Sequence, residues 1–400
     1  MAPAKRASSR LGRSRWRVNI PPLALEWTVI AFLVRAVLTV LVHVYSLSIG
    51  KGGLFPLGDV GDDSTYYLFS QKIYYGDDNA FGANLYPRFL AYFYHLTGGP
   101  NLLLGQLLNA TLGALSVGLG VMLARELSRG TMSAPARRRA CGWAGALLTF
   151  YPSLLWYSTQ LLKDPPLIFM GMAALYCQAL WLRRARFWPI FWWAVALVGL
   201  LTFRFYTVAA IIFSLTLWVL RFNRKWTVPV VAAFAFVPYF AGLGLFGFNL
   251  AAPLLSADAL SSFRQSAYAT GGSSIGVSID YSNPVAFAVT FPYSFATAMF
   301  GPFPWQIRAL NQAVAVPEAL GMCLLFPLWL RALREAFLRR PRDKTAARDL
   351  SLFLFSLVLI ALVALFSDNI GANTRLRLLS WNAFLVFAAL RLGRKKWKVF

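Results

Sequence analysis

Gly58-Asp59-Val60-Gly61-Asp62-Asp63-Ser64-Thr65-Tyr66-Tyr67 follows closely on the apolar run 24–48, and the two together decide the fold class. The run is long enough to cross a bilayer, which takes about 20 apolar residues in a helix. The stretch after it sets Asp59, Asp62 and Asp63 within five positions of a chain that holds only 15 acidic residues. Acids this near a bilayer are costly unless they pair or take part in chemistry. The same residues also read as a helix start, with Asp63 or Ser64 capping a helix through Tyr66, Tyr67, Phe69 and Ile73. The two roles are compatible.

Working outward, hydrophobic residues make up 58% of the 400 and charged residues 14%. A soluble domain of this size has too little interior to hide so much apolar surface. The expected fold is all-α and polytopic, an integral membrane protein. Cys141, Cys177 and Cys323 all fall in apolar segments, so no disulfide framework or zinc site is indicated. His43 and His95 are the only histidines, too few for a His-rich metal centre. The net charge of +24 comes from Lys and Arg clustered in short gaps between apolar runs. That is the pattern of cytoplasmic loops under the positive-inside rule, and it points away from nucleic acid and toward anionic membrane lipid.

Residues 1–23 form a basic cytoplasmic tail with Lys5, Arg6, Arg10, Arg13, Arg15 and Arg17, then Pro21-Pro22. No small-residue cleavage site follows the first run, so it reads as a retained anchor, with Arg35 turned to the bundle or to an acid. A transmembrane core extends over 24–248. Its first external loop, 49–100, carries Asp59, Asp62, Asp63, Asp77 and Asp78 among recurring Tyr and Phe, which suits interfacial helices. Further spans are expected at about 101–124, 140–160, 165–183, 189–203, 206–220 and 227–248. Pro165-Pro166 suits the first turn of the fourth. An external loop at 249–312 contains the proline-rich segment 284–305, expected as a re-entrant or interfacial hairpin because both flanks read as external. Spans at 313–333, 350–366 and 377–393 form the C-terminal transmembrane helices, 313–393, before a basic cytoplasmic tail at 394–400. The total is about ten spans.

With both termini cytoplasmic, 29 of the 39 Lys and Arg fall inside, 9 fall outside and Arg35 lies within a span. The acids go the other way: only Glu26, Glu126, Glu335, Asp343 and Asp349 fall inside. That asymmetry supports the orientation and puts any chemistry on the external face. No inverted repeat of Gly/Pro-broken segments is evident, which weighs against a secondary transporter.

On that face, Asp59, Asp62 and Asp63 have the i, i+3, i+4 spacing that one helical turn would gather together. Like charges so close raise a carboxyl pKa, which is how a carboxylate becomes a useful general base. Asp164, beside Lys163, reads either as a second active-site acid with a cation at hand or as a solvated cap ahead of Pro165. Arg204 stands in a tight turn between two spans, and Arg375 and Arg377 lie at the outer mouth of the last one. Each could snorkel to headgroups. Their shared place on a face poor in cations favours a phosphate site, where guanidinium groups bind bidentately and Lys adds point charge. His95, next to Tyr94, reads as structural, and Glu318 is expected to pair with Arg35 or Arg308.

The order of these features resembles the GT-C superfamily of membrane glycosyltransferases, in its protein-mannosyltransferase-like bacterial branch. The motifs that carry the resemblance are Asp62-Asp63-Ser64-Thr65-Tyr66-Tyr67, Tyr86-Pro87, Asn101 with Asn109-Ala110-Thr111-Leu112-Gly113-Ala114-Leu115, and Tyr151-Pro152-Ser153-Leu154-Leu155-Trp156-Tyr157-Ser158 ahead of Asp164-Pro165. It is best over 24–210, with an echo at Arg375-Leu376-Arg377. The resemblance implies a base for the acceptor in the first outer loop, matched most closely by Asp63 with Asp62 beside it, and a second acid at Asp164. The chain departs from the pattern by placing Lys163 before that acid, where a small polar residue is commoner.

The implied function is transfer of a sugar from a polyprenyl-phosphate donor to a glycan, lipid or protein acceptor at the external face of a bacterial inner (plasma) membrane. Direct attack inverts the anomeric centre. Phosphate is a good leaving group, so cations at Lys163, Arg204, Arg375 and Arg377 matter more than a proton donor. The acids could also hold a divalent metal; no other cofactor is indicated. Two alternatives stand beside this one: a polysaccharide polymerase or ligase acting on lipid-linked glycans, and a lipid-glycan flippase without chemistry. A carrier needs charges near the bilayer midplane on several helices, whereas here they gather at one mouth.

Overall fold

A computed structural model describes residues 20–56, 61–77, 85–183, 186–222, 258, 261–262, 264, 279–281, 283–307, 315–338 and 344–394. The expected span 227–248, most of the loop 249–283, Asp59 and Arg308 lie outside the described residues. The architecture is helical throughout: α1 (Pro22–Ser48), α2 (Asp62–Tyr74), α3 (Tyr86–Thr97), α4 (Leu102–Leu127), α5 (Ala134–Phe150), α6 (Pro152–Tyr157) and α7 (Asp164–Arg183) come first. α8 (Phe187–Phe203), α9 (Phe205–Phe222), α10 (Pro284–Phe300), α11 (Val316–Leu338), α12 (Lys344–Phe366), α13 (Ile370–Leu376) and α14 (Leu378–Arg394) follow.

By length and composition five of these can cross a membrane: α1, α4, α7, α11 and the part of α12 from Arg348. The pair α13–α14, bent by 54°, makes a sixth if it counts as one span. α8, α10 and residues 205–216 of α9 are shorter apolar helices. These features are those of an integral membrane protein.

α4 is the hub, packing against α1, α5, α7 and α14, and α14 in turn packs against α5, α11 and α12. Small residues let α4 take so many neighbours: at Gly113 a Cβ would come within 2.8 Å of Ser158 and 3.1 Å of the Arg35 guanidinium. α1 lies at the edge, with Leu25, Val29, Leu33, Val37 and Leu41 all exposed on one stripe at four-residue spacing.

The segment expected as one span at 140–160 is broken at Tyr151-Pro152 into α5 and α6. Pro152 has no N–H to offer the carbonyl of Leu148, four residues back. Arg35 of α1 replaces it, its Nη2 donating to Leu148 O at 3.2 Å and its Nη1 to Thr149 O at 3.5 Å. On the other side of the break, the Ser153 amide donates to Glu318 Oε2 at 2.6 Å, and the Ser153 hydroxyl donates to the same oxygen. Arg35 therefore does turn inward, but onto backbone carbonyls. Glu318 does not pair with it; among the described residues Glu318 pairs with Arg377, whose Nη2 lies 3.8 Å from Oε1.

Arg35 has counterparts. Arg348 donates to the carbonyls of Glu126 and Leu127 at the end of α4, at 3.1 and 3.0 Å. Arg264 donates to Ala364 O and Leu365 O at the end of α12, at 2.5 and 3.2 Å. Arg377 donates to Ala298 O and Gly301 O at the end of α10, at 3.3 and 2.6 Å. Each of these buried guanidinium groups closes the C-terminal carbonyls of a neighbouring helix, where the helix dipole favours positive charge.

In the segment 284–305, expected as a re-entrant or interfacial hairpin, Pro284–Phe300 form one helix. Asn283 Oδ1 caps it by accepting from the amides of Val285 and Ala286, Pro284 sits in the first turn, and the helix continues through Pro292 to Phe300.

Candidate functional site

Asp164 opens α7 and is fully buried. The turn that delivers it is held by Asn109 of α4, whose Nδ2 donates to Gln160 O at 2.6 Å and Leu162 O at 2.8 Å. Arg204 occupies the extended residue between α8 and α9. α13 contributes Arg375, anchored beside α6 by a Tyr157–Thr374 hydroxyl pair at 2.9 Å. α2 contributes Asp62. α2 is seated on α3 through Tyr66, edge-on to Tyr86 at 5.1 Å, and α3 buries Tyr86, Leu90 and Tyr94 at i, i+4 and i+8.

These elements bring four charged groups into one chain. Arg204 Nη2 donates to Asp164 Oδ1 at 2.6 Å. Arg375 donates to Asp164 Oδ2 from Nε at 3.0 Å and from Nη2 at 2.8 Å. The remaining arm of Arg375, Nη1, reaches Asp62 Oδ2 at 2.6 Å. The chain runs from buried to open: the Asp62 side chain is 52% exposed, that of Arg375 20% and that of Asp164 1%.

Lys163 adjoins this chain without an ion pair among the described residues. Burial pushes its pKa down to about 8, helped by the positive charges of Arg204 and Arg375 and opposed by Asp164. Nearby, Asn373 is buried with neither amide atom hydrogen-bonded among the described residues.

Two expected members sit elsewhere. Asp63 turns away from the cations. Its Oδ2 accepts from the Phe55 amide at 2.6 Å and its Oδ1 from the Ser64 amide at 2.9 Å, so it ties the chain after α1 to the start of α2. Gly61 is packed against it so closely that a Cβ would lie 2.4 Å from Asp63 Oδ1. Burial raises the Asp63 pKa, against the two backbone amides that favour its charge. Arg377 is fully buried, committed to the end of α10 and stacked 3.6 Å over the Trp381 ring. His95 stacks on Tyr74 at 4.5 Å, a packing role.

Asn109 and Tyr157 were not among the candidate site residues. Only Asn109 carries a sequence signal, a carboxamide within an apolar span. As for a metal, Asp62 and Asp164 are both engaged by Arg375, and no three His, Cys, Asp or Glu gather among the described residues. That donor set does not fit a divalent ion held by carboxylates. What the arrangement can do is receive an anion and present a carboxylate beside it. Comparisons with family models, curated proteins and solved structures find no match to this chain.

Proposed function

We propose that this protein is a GT-C-like membrane glycosyltransferase of about ten spans, moving a sugar from a polyprenyl-phosphate donor to a glycan, lipid or protein acceptor at the external face of a bacterial inner membrane. The observation that carries this reading is the chain Arg204–Asp164–Arg375–Asp62 with Lys163 beside it, in no ion pair among the described residues. Three cations face two carboxylates, one of them half-exposed. A donor phosphate competes with Asp62 for the outer arm of Arg375, and Lys163 supplies a second contact.

The exchange has a chemical consequence. Asp62, released from Arg375, is a free carboxylate next to the bound phosphate. The acceptor hydroxyl gives its proton to Asp62 while its oxygen bonds to the anomeric carbon. The bond from that carbon to the phosphate oxygen breaks, and the electron pair leaves with the polyprenyl phosphate, whose charge Arg375 and Lys163 stabilise. Attack opposite the leaving group inverts the centre. Asp164 never leaves its arginines and acts as a positioning residue for Arg375. On this assignment the base is Asp62, and Asp63 holds the loop that presents it.

The test is an in vitro assay of purified protein against a panel of polyprenyl-phosphate sugars, scoring release of polyprenyl phosphate together with an inverted glycoside. Movement of lipid-linked glycan between leaflets with no bond broken would reject the enzyme and leave a flippase.

A further inference from the structure

α4 and α7 run parallel. Asn109 near the start of α4 holds the turn ahead of α7, and Glu126 near the end of α4 pairs with Arg183 near the end of α7 at 2.8 Å. The Glu126 end therefore lies roughly 30 Å from Asp164, about 20 residues of helix away. α1 starts at this same end, since Ala24 and Thr28 meet Gly118, late in α4. α5 starts there too, with Cys141 donating to Val121 O at 3.9 Å.

Between those three helices lies a cavity of about 400 Å³. Pro22, Leu23 and Val121 give it an apolar wall, and Arg125, Arg137 and Arg138 give it a basic one. Among the described residues Glu26 is the one carboxylate on its lining, against the three positive charges of the arginines. Arg129, Arg183 and Arg348 nearby all pair with Glu126. Arg125, Arg137 and Arg138 make no ion pair among the described residues. Neither α1 nor α5 has an acid in its first turn, so two positive helix ends add to the arginines. The exposed stripe of α1 begins at Leu25, between the cavity residues Leu23 and Glu26 in sequence, and continues along the helix through Val29, Leu33 and Val37.

We propose that this cavity holds the headgroup of an anionic phospholipid. Arg125, Arg137 and Arg138 bind the phosphate, and the acyl chains lie along Leu25, Val29, Leu33 and Val37. Charge sign, an apolar track of membrane length on α1 and a volume suited to a small polar group all match that occupant. The site is independent of the transfer reaction at the other end.

Purified full-length protein, stripped of lipid in detergent, is to be equilibrated with phosphatidylglycerol or phosphatidylcholine and the retained lipid counted by native mass spectrometry. Phosphatidylglycerol is expected to be retained preferentially. The triple variant Arg125→Gln/Arg137→Gln/Arg138→Gln should lose about fivefold in affinity for each arginine removed. Arg331→Gln/Arg334→Gln, exposed cations on α11, should change nothing. Ala134→Trp keeps every charge but obstructs the cavity, and should lower retention as well, which separates the site from general surface charge. Equal retention of the two lipids, an equal loss in the α11 control, or displacement by inorganic phosphate alone would overturn the proposal.

Discussion

The two ends of the bundle use the same ingredients, a buried acid surrounded by arginines, and arrange them differently. At the Glu126 end, Arg183 and Arg129 close on the carboxylate, and Arg348 adds the backbone carbonyls of Glu126 and Leu127 and the carboxylate of Asp349. Every one of these groups is anchored to a long helix or its end. At the Asp164 end, the arginines terminate on side-chain carboxylates, and the last carboxylate belongs to α2, a short helix of the first loop. A buried pair loses several kcal/mol when one partner goes, because a bare charge is left behind. A half-exposed pair such as Asp62–Arg375 is worth only about 0–1 kcal/mol. One end is a clasp and the other can exchange a partner.

The sharpest break in that comparison sets Asp62 against its neighbour. Asp62→Asn should reduce transfer by roughly a hundredfold or more, the usual weight of a general base, with thermal stability in detergent nearly unchanged. Asp63→Asn should do the opposite, lowering stability by about 1–3 kcal/mol through its lost amide contacts while keeping substantial turnover. Full transfer in Asp62→Asn alongside a dead but stable Asp63→Asn would restore Asp63 as the base.

Next in size is the closed end. Glu126→Gln should cost about 3–5 kcal/mol in an unfolding titration, yet surviving folded protein should keep its donor affinity. A selective fall in donor affinity there would show that the two ends are coupled.

The smallest effect is one of pH. A lysine whose folded-state pKa lies below the ordinary 10.5 costs stability while charged; that cost is fully present below about pH 8 and fades as pH rises toward the ordinary value. Donor binding runs the other way, because the ammonium is lost as pH rises through about 8. Donor affinity should fall by about tenfold over that rise in wild type, and Lys163→Arg should flatten the profile, since a guanidinium stays charged. Equal profiles in the two proteins would remove Lys163 from the phosphate site.

Much of the fold was legible because a bilayer helix announces itself by composition: α1, α4, α7, α11 and α12 all lie where long apolar runs do. The break at Tyr151-Pro152 was less so. A proline can start a helix or interrupt one, and the choice depends on whether a neighbour can satisfy the freed carbonyls, here Arg35. Pro292 shows the reverse, a proline carried inside α10 without a break, where a hairpin had been the expectation.

At Gly58–Tyr67 the division is clearest. The amino-acid order alone determined that carboxylates would stand just beyond the first apolar helix, and the Lys and Arg count supplied the expectation that they face the external side. It could not choose between Asp62 and Asp63, because adjacent residues point about 100° apart on a helix and either could have faced the cations. The seating of α2 on α3 made that choice. The same holds for Arg375 and Arg377, two positions apart across the α13–α14 bend: one meets Asp164 and Asp62, the other the end of α10. Composition and charge act through the membrane, which reads the chain segment by segment. Which side chain meets which is settled by the packing of helices distant in sequence.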